Sequence, residues 1–253
     1  MRILLSGALG RMGRAVAELC RERGVTVAAG VDVATGAEPG FPVFPTFDVC
    51  KMKADVIIDF TRPETLPELL QYALGEKLPV VLATTGYNQA DKDRIRKAAA
   101  EIPIFQSANM SLGINLLKSL IRQAAAVLGE DFDAEIVERH HNRKIDAPSG
   151  TALMLFDTLN GCYPGGREMV CGRESRTQMR DKREIGVHAV RGGTLAGSHE
   201  VGFYGPEETL TITHDAQSRA VFAQGALKAA LFLKDKPAGC YTMDDLIQTM
   251  QSK

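Results

Sequence analysis

The residues with the most chemistry in them lie together in Glu138-Arg139-His140-His141-Asn142-Arg143-Lys144-Ile145-Asp146-Ala147-Pro148-Ser149-Gly150-Thr151-Ala152-Leu153. An imidazole titrates near neutrality and a lysine supplies both charge and a proton, so His140 and Lys144 are the candidates for general acid–base work. Pro148 turns Ala147 away from helical geometry, Ser149 or Gly150 can cap, and a helix is expected over 151–159. The first-turn N–H groups of Gly150 and Thr151 then form a cradle for a carboxylate. On the local pattern alone Ser149 is equally a plain N-cap, Asp146 a loop residue and the basic cluster a solvated face. Adjacent histidines at a strand end point to opposite faces, and no third ligand stands at a metal-motif spacing, so no metal site is expected.

A second constellation opens the chain. Gly7-Ala8-Leu9-Gly10-Arg11-Met12-Gly13 lies between a predicted strand and a predicted helix, where glycines let the backbone approach a pyrophosphate. The spacing is G-x-x-G-x-x-G, which also suits an ordinary glycine-rich turn. Asp32 stands 19 positions after Gly13 at the end of the second strand, near the spacing at which a carboxylate meets an adenosine ribose. That carboxylate would repel a 2′-phosphate, and Val33 and Ala34 bring no arginine to offset it, so NADH is expected to be preferred, with NADPH possible. Thr61-Arg62-Pro63 and Ala83-Thr84-Thr85-Gly86 follow predicted strands at the edge where open α/β sheets bind ligands, though a helix cap and a tight turn explain them as well.

Elements must position these groups. Apolar runs at 2–6, 25–31, 56–60, 79–83 and 102–106 alternate with helical patterns after 10, at 64–75 and at 89–101, with Gly24 closing the first helix; this predicts a parallel, doubly wound sheet. A helix over 112–128, apolar at Leu116, Leu117, Leu120 and Ile121, leads to a strand at 134–139. The polar stretch 161–183 reads as a long loop, and 185–190, 198–204 and 208–214 as an antiparallel meander. A last helix over 218–234 and a short helical tail could return to the first domain. The fold class is therefore α/β, a Rossmann-like domain followed by an α+β domain.

The chain has 253 residues, enough for two modest domains, with 45% apolar and 24% charged residues and a formal charge of −1. Near-neutral charge without basic arrays argues against nucleic acid, and no apolar run is long enough for a membrane span. Five scattered cysteines, odd in number and without a CxxC pair, suggest neither a disulfide framework nor zinc and fit a reducing cytoplasm.

The chain resembles the dihydrodipicolinate reductases over nearly its whole length. The resemblance rests on the 7–13 glycine loop, Asp59-Phe60-Thr61-Arg62-Pro63-Glu64, Thr84-Thr85-Gly86, Ser107-Ala108-Asn109-Met110-Ser111 and the 138–152 signature. It implies a first domain, 1–111 with 220–253, that holds NAD(P)H, and a second, 112–219, that binds a dicarboxylate and joins a homotetramer through its sheet. It further implies His140 as acid or base, Lys144 as second proton donor, and His141, Gly150 and Thr151 as carboxylate ligands. Cofactor contacts are implied for Gly7, Ala8, Leu9, Gly10, Arg11, Met12, Asp32, Arg62, Ala83, Thr84, Thr85, Ser107, Ala108, Asn109 and Met110. Leu9 and Ala83 depart from the family's usual small residue and glycine. Two rivals share the first domain: a dinucleotide sensor without chemistry, against which His140 and Lys144 argue, and another two-domain dehydrogenase, which would need a different segment over 144–151.

Overall fold

Short β-branched and aliphatic runs early in the chain are buried on both sides, the signature of parallel strands covered by helices. In the computed structural model, which describes residues 1–34 and 40–252, they are β1 (Arg2–Ser6), β2 (Thr26–Val31), β3 (Val43–Phe44), β4 (Val56–Asp59), β5 (Val80–Leu82) and β6 (Pro103–Gln106). With β12 (Gly239–Tyr241) they make a seven-stranded sheet, ordered β12-β6-β5-β4-β1-β2-β3 and parallel throughout. Alternate residues feed opposite cores, as strand geometry requires. Ile3, Leu5, Ile58, Val81 and Phe105 meet α1 (Arg11–Glu22) and α6 (Ala220–Leu233). Leu4, Ile57, Val80 and Leu82 meet α2 (Leu66–Glu76) and α3 (Gln89–Ala98).

Three local devices set this unit. Gly24, at φ +65°, ends α1. A reciprocal Asn88–Asp91 capping box starts α3. The small face of α6 lets it approach the sheet so closely that a Cβ on Gly225 would sit 1.7 Å from the Met110 carbonyl oxygen. The segment expected as one helix from 64 opens as a 3-10 turn, Pro63–Thr65, before α2. The short strands β3 and β12 carry no alternation to betray them; β12 pairs with β6 and is followed by α7 (Met243–Gln251).

The chain divides into two compact units, Met1–Leu112 with Arg219–Lys253, and Gly113–Ser218. The second unit holds most of α4 (Leu112–Leu128), then β7 (Asp133–His140), α5 (Gly150–Asn160), β8 (Glu168–Cys171), β9 (Glu184–Arg191), β10 (Gly197–Tyr204) and β11 (Thr209–Ala216). Its sheet runs β11-β10-β7-β9-β8. The expected antiparallel meander is corrected here: β9 lies parallel to β7 and β8, while β10 pairs antiparallel with β7 and β11. Consecutive strands β9 and β10 thus flank β7 instead of each other. The expected 161–183 loop contains β8, a four-residue edge strand too short to show a period. The buried stripe of α4 is Ile114, Leu117, Ile121 and Ala125; Leu116 and Leu120, expected in it, are exposed.

Candidate active site

In the first unit the glycine loop joins β1 to α1, whose N-cap is Gly10 with no side-chain capping bond. Gly7 adopts φ +77°, and a Cβ there would lie 2.9 Å from the Phe60 carbonyl oxygen. At Gly13 a Cβ would lie 2.1 Å from the Gly7 carbonyl oxygen, so only glycine lets α1 start against the loop. A cavity of about 810 Å³ opens at this helix start, lined by Gly7, Gly10, Arg11, Asp32, Thr61 and Arg62 among others. An uncapped helix N-terminus, two arginines and a ribose-spaced carboxylate around one cavity fit a dinucleotide. Asp32 also holds the loop itself, its Oδ2 accepting from Leu9 N–H at 2.8 Å and its Oδ1 from Ala34 N–H at 2.9 Å.

The remaining expected cofactor residues do not line that cavity. Ala8 is buried in the core and Met12 packs against it. Ala83, Thr84 and Thr85 follow β5, and Ser107, Ala108, Asn109 and Met110 follow β6, all at the C-terminal edge of the parallel strands. Ser107 Oγ donates to the Asn109 carbonyl at 2.7 Å, which folds that turn on itself. The sequence reading missed the link between these edge loops. Asp59, buried at the end of β4, accepts from Thr61 Oγ1 at 2.6 Å and from Thr84 Oγ1 at 2.7 Å. Burial raises its carboxyl above the ordinary range, against the two hydroxyl bonds.

In the second unit, β7 buries every second side chain, first Ala134 and Ile136, then Glu138 and His140. His140 Nδ1 lies 2.5 Å from Glu138 Oε2. Arg191, which ends β9 in register with His140, donates Nη1 to Glu138 Oε2 at 2.8 Å and Nη2 to Oε1 at 2.7 Å. Ser149 N–H donates to Oε1 at 3.0 Å, and Ser149 Oγ caps α5 by accepting from Ala152 N–H at 3.2 Å. Burial alone would raise Glu138, but the bonds from Arg191, His140 and Ser149 outweigh it and hold the carboxylate below its ordinary value.

His199, buried on β10 in register with Glu138, packs edge-on to His140 with ring centroids 5.1 Å apart. Its Nε2 is 3.2 Å from Ser149 Oγ, and burial followed by the charge of His140 lowers it to about 4. Lys144 Nζ rests on Asp146, at 2.8 and 2.9 Å from its two carboxylate oxygens. Arg191 Nη2 donates to the Asp146 carbonyl at 2.5 Å, so one guanidinium ties the Lys144 loop to Glu138. His141 leaves the strand and its N–H donates to Leu195 O at 2.9 Å; Gly150 and Thr151 form the first turn of α5. The structure thus gathers His140 and the α5 start around Glu138, and Arg191 ties the Lys144 loop to it. Arg191 and His199 were missed, and their one signal is position on strands that flank β7. Among the described residues no group of three or more His, Cys, Asp or Glu could hold a metal ion, and no helix is long and apolar enough to cross a membrane.

The family model for the N-terminus of dihydrodipicolinate reductase matches residues 1–110, and that for its C-terminus matches 113–247. The chain belongs to the dihydrodipicolinate reductase family. As a member it is a reductase. A 4-hydroxy-tetrahydrodipicolinate reductase of Caldanaerobacter subterraneus subsp. tengcongensis is 52% identical over 249 residues, 98% of each chain, and one of Clostridium tetani is 44% identical, again over 98% of each. In structure the chain is similar to a dipicolinate-bound dihydrodipicolinate reductase from Paenisporosarcina sp. TG-14, with a TM-score of 0.80 at 23% identity, covering 96% of this chain and 97% of that one. That likeness shows the fold. The family's C-terminal match includes α6, which packs in the first unit.

Proposed function

We propose that the chain reduces 4-hydroxy-tetrahydrodipicolinate, through the dehydrated imine dihydrodipicolinate, to tetrahydrodipicolinate in diaminopimelate and lysine biosynthesis. The observation that carries this reading is that buried His140, the half-buried Lys144 and the first turn of α5 come from one stretch of the second unit tied together through Glu138 and Arg191. A nicotinamide cofactor, when bound, supplies the hydride. The glycine loop and the start of α1 hold its pyrophosphate, with Arg11 and Arg62 adding positive charge at the same cavity. Gly150, Thr151 and His141 hold the substrate carboxylates by N–H donation and charge, and His140 and Lys144 hand over the proton that the reduced carbon skeleton requires.

NADH is the preferred cofactor in this reading, because the Asp32 carboxylate lines the cavity and repels a 2′-phosphate. A homotetramer joined through the second sheet and residence in the cytoplasm complete the proposal, the former checked by light scattering. The central test is oxidation of NADH and NADPH by the purified protein, with substrate made in situ from pyruvate and aspartate semialdehyde by a coupled synthase. Turnover, with kcat/KM higher for NADH, is expected. A tenfold preference for NADPH overturns the role of Asp32, and tight NADH binding without turnover on either cofactor moves the assignment to a sensor.

A further inference from the structure

We infer that Glu138 is a positioning residue: its buried carboxylate fixes the His140 ring with Nδ1–H donated inward, leaves Nε2 to exchange the proton, and anchors the first turn of α5 beside it. The inference rests on His140 being the proton-transferring group proposed above. Glu138 has no exposed side-chain surface. Oε2 accepts from His140 Nδ1 and Arg191 Nη1, and Oε1 from Arg191 Nη2 and Ser149 N–H, so each oxygen carries two donors and the carboxylate has no room to turn. An unprotonated Nδ1 at 2.5 Å would set a lone pair against a carboxylate, so the inward nitrogen carries the hydrogen.

The other edge of the ring supports the same assignment. A Cβ on Gly197 would lie 2.9 Å from His140 Nε2 and 3.3 Å from its Cδ2, so a glycine keeps the Nε2 edge clear. The titratable and charged groups near the ring are Glu138 on β7, Arg191 on β9, His199 on β10, and Lys144 with Asp146 in the loop that follows β7. His214 on β11 stands beyond His199 in register. Of these, Glu138 makes the hydrogen bond to the ring. Through Ser149 the same carboxylate also sets where α5 begins, so the proton-transferring ring and the carboxylate cradle share one anchor.

The experiment compares the full-length protein with Glu138→Gln and Glu138→Asp in the coupled assay, with NADH binding measured separately. Glutamine keeps the shape but must aim an N–H at one of the four donors. The expected result is a loss in kcat of about a hundredfold or more in E138Q, in the range of a misdirected catalytic imidazole, with NADH affinity within about twofold. E138D, which keeps a carboxylate able to accept from Nδ1–H, recovers at least about tenfold of the rate. Wild-type kcat in E138Q overturns the inference, as does a rate loss that tracks the unfolded fraction with no rescue by aspartate. Should E138Q fail to fold, ¹⁵N-histidine NMR of the native protein, with His140 assigned by H140Q, reads the ring directly. Hydrogen on Nδ1 in the neutral ring supports the inference and hydrogen on Nε2 overturns it, whether or not the native protein turns the proposed substrate over.

Discussion

Asp59 and Glu138 are both buried carboxylates at the C-terminal end of a strand, and their surroundings push them in opposite directions. Asp59 meets the hydroxyls of Thr61 and Thr84, and burial raises it. Glu138 meets a guanidinium, an imidazole and a backbone N–H, and these outweigh burial and lower it. The first arrangement ties two loops together without needing a counter-ion. The second is a permanent negative charge, suited to orienting a group that must gain and lose a proton. The first unit is thus held at its strand edge by backbone shape and a hydroxyl-bound carboxyl, and the His140 corner of the second by a carboxylate paired with a guanidinium.

Removing one partner should expose that difference most sharply. Arg191→Met leaves Glu138 buried with its main cation gone, and a loss of about 3–5 kcal/mol is expected in urea unfolding. Asp59→Asn keeps an acceptor for one threonine and a donor for the other, and about 1–2 kcal/mol is expected. Equal losses would break the comparison. The two carboxylates also respond to pH with opposite sign. The contribution of Glu138, lowered in the folded state, is present above the ordinary carboxylate value and lost as pH falls through the depressed one. That of Asp59, raised in the folded state, is full at low pH and lost as pH rises through the elevated value, so D59N should flatten the curve on that side.

His199 gives the next effect. It is neutral and buried in the folded state and lowered from 6.5 to about 4, so unfolded chains take up a proton that folded ones refuse. Stability should therefore fall as pH drops from about 6.5 to about 4, by on the order of 3 kcal/mol, and His199→Gln should remove that fall in thermal unfolding at stepped pH. An unchanged slope in the variant would place the acid sensitivity elsewhere. The smallest effect is Gly197→Ala, whose methyl would crowd His140 Nε2. A ring can yield where backbone cannot, so kcat should fall about tenfold with NADH affinity intact. A loss of NADH affinity instead would erase the division of labour between the two regions.

Much of this was legible in the residues. The aliphatic runs of β1, β4 and β5 and the glycine loop announced the first sheet, and the 138–152 stretch pointed to the place where His140, Glu138 and the start of α5 meet. Local pattern could not announce pairing. Arg191 reaches Glu138, 53 positions away, only because β9 lies parallel to β7, and the sequence of β9 reads the same in a meander. Glu138 itself stood two residues before His140, the period that puts both on one face of a strand, yet its role depends on Ser149 and Arg191 arriving from other elements. Thr61 and Thr84, which suited a cap and a turn as well as cofactor contacts, could not show their shared partner because Asp59, which joins them, acts across two strands.

The most direct test of the account is His140→Ala in the coupled reductase assay, with NADH binding titrated in parallel on the same preparation. The account predicts a fall in kcat of at least about a hundredfold with NADH affinity unchanged, since the imidazole belongs to the second unit and the dinucleotide cavity to the first. Turnover equal to that of the native chain would contradict it and move the acid–base centre away from His140.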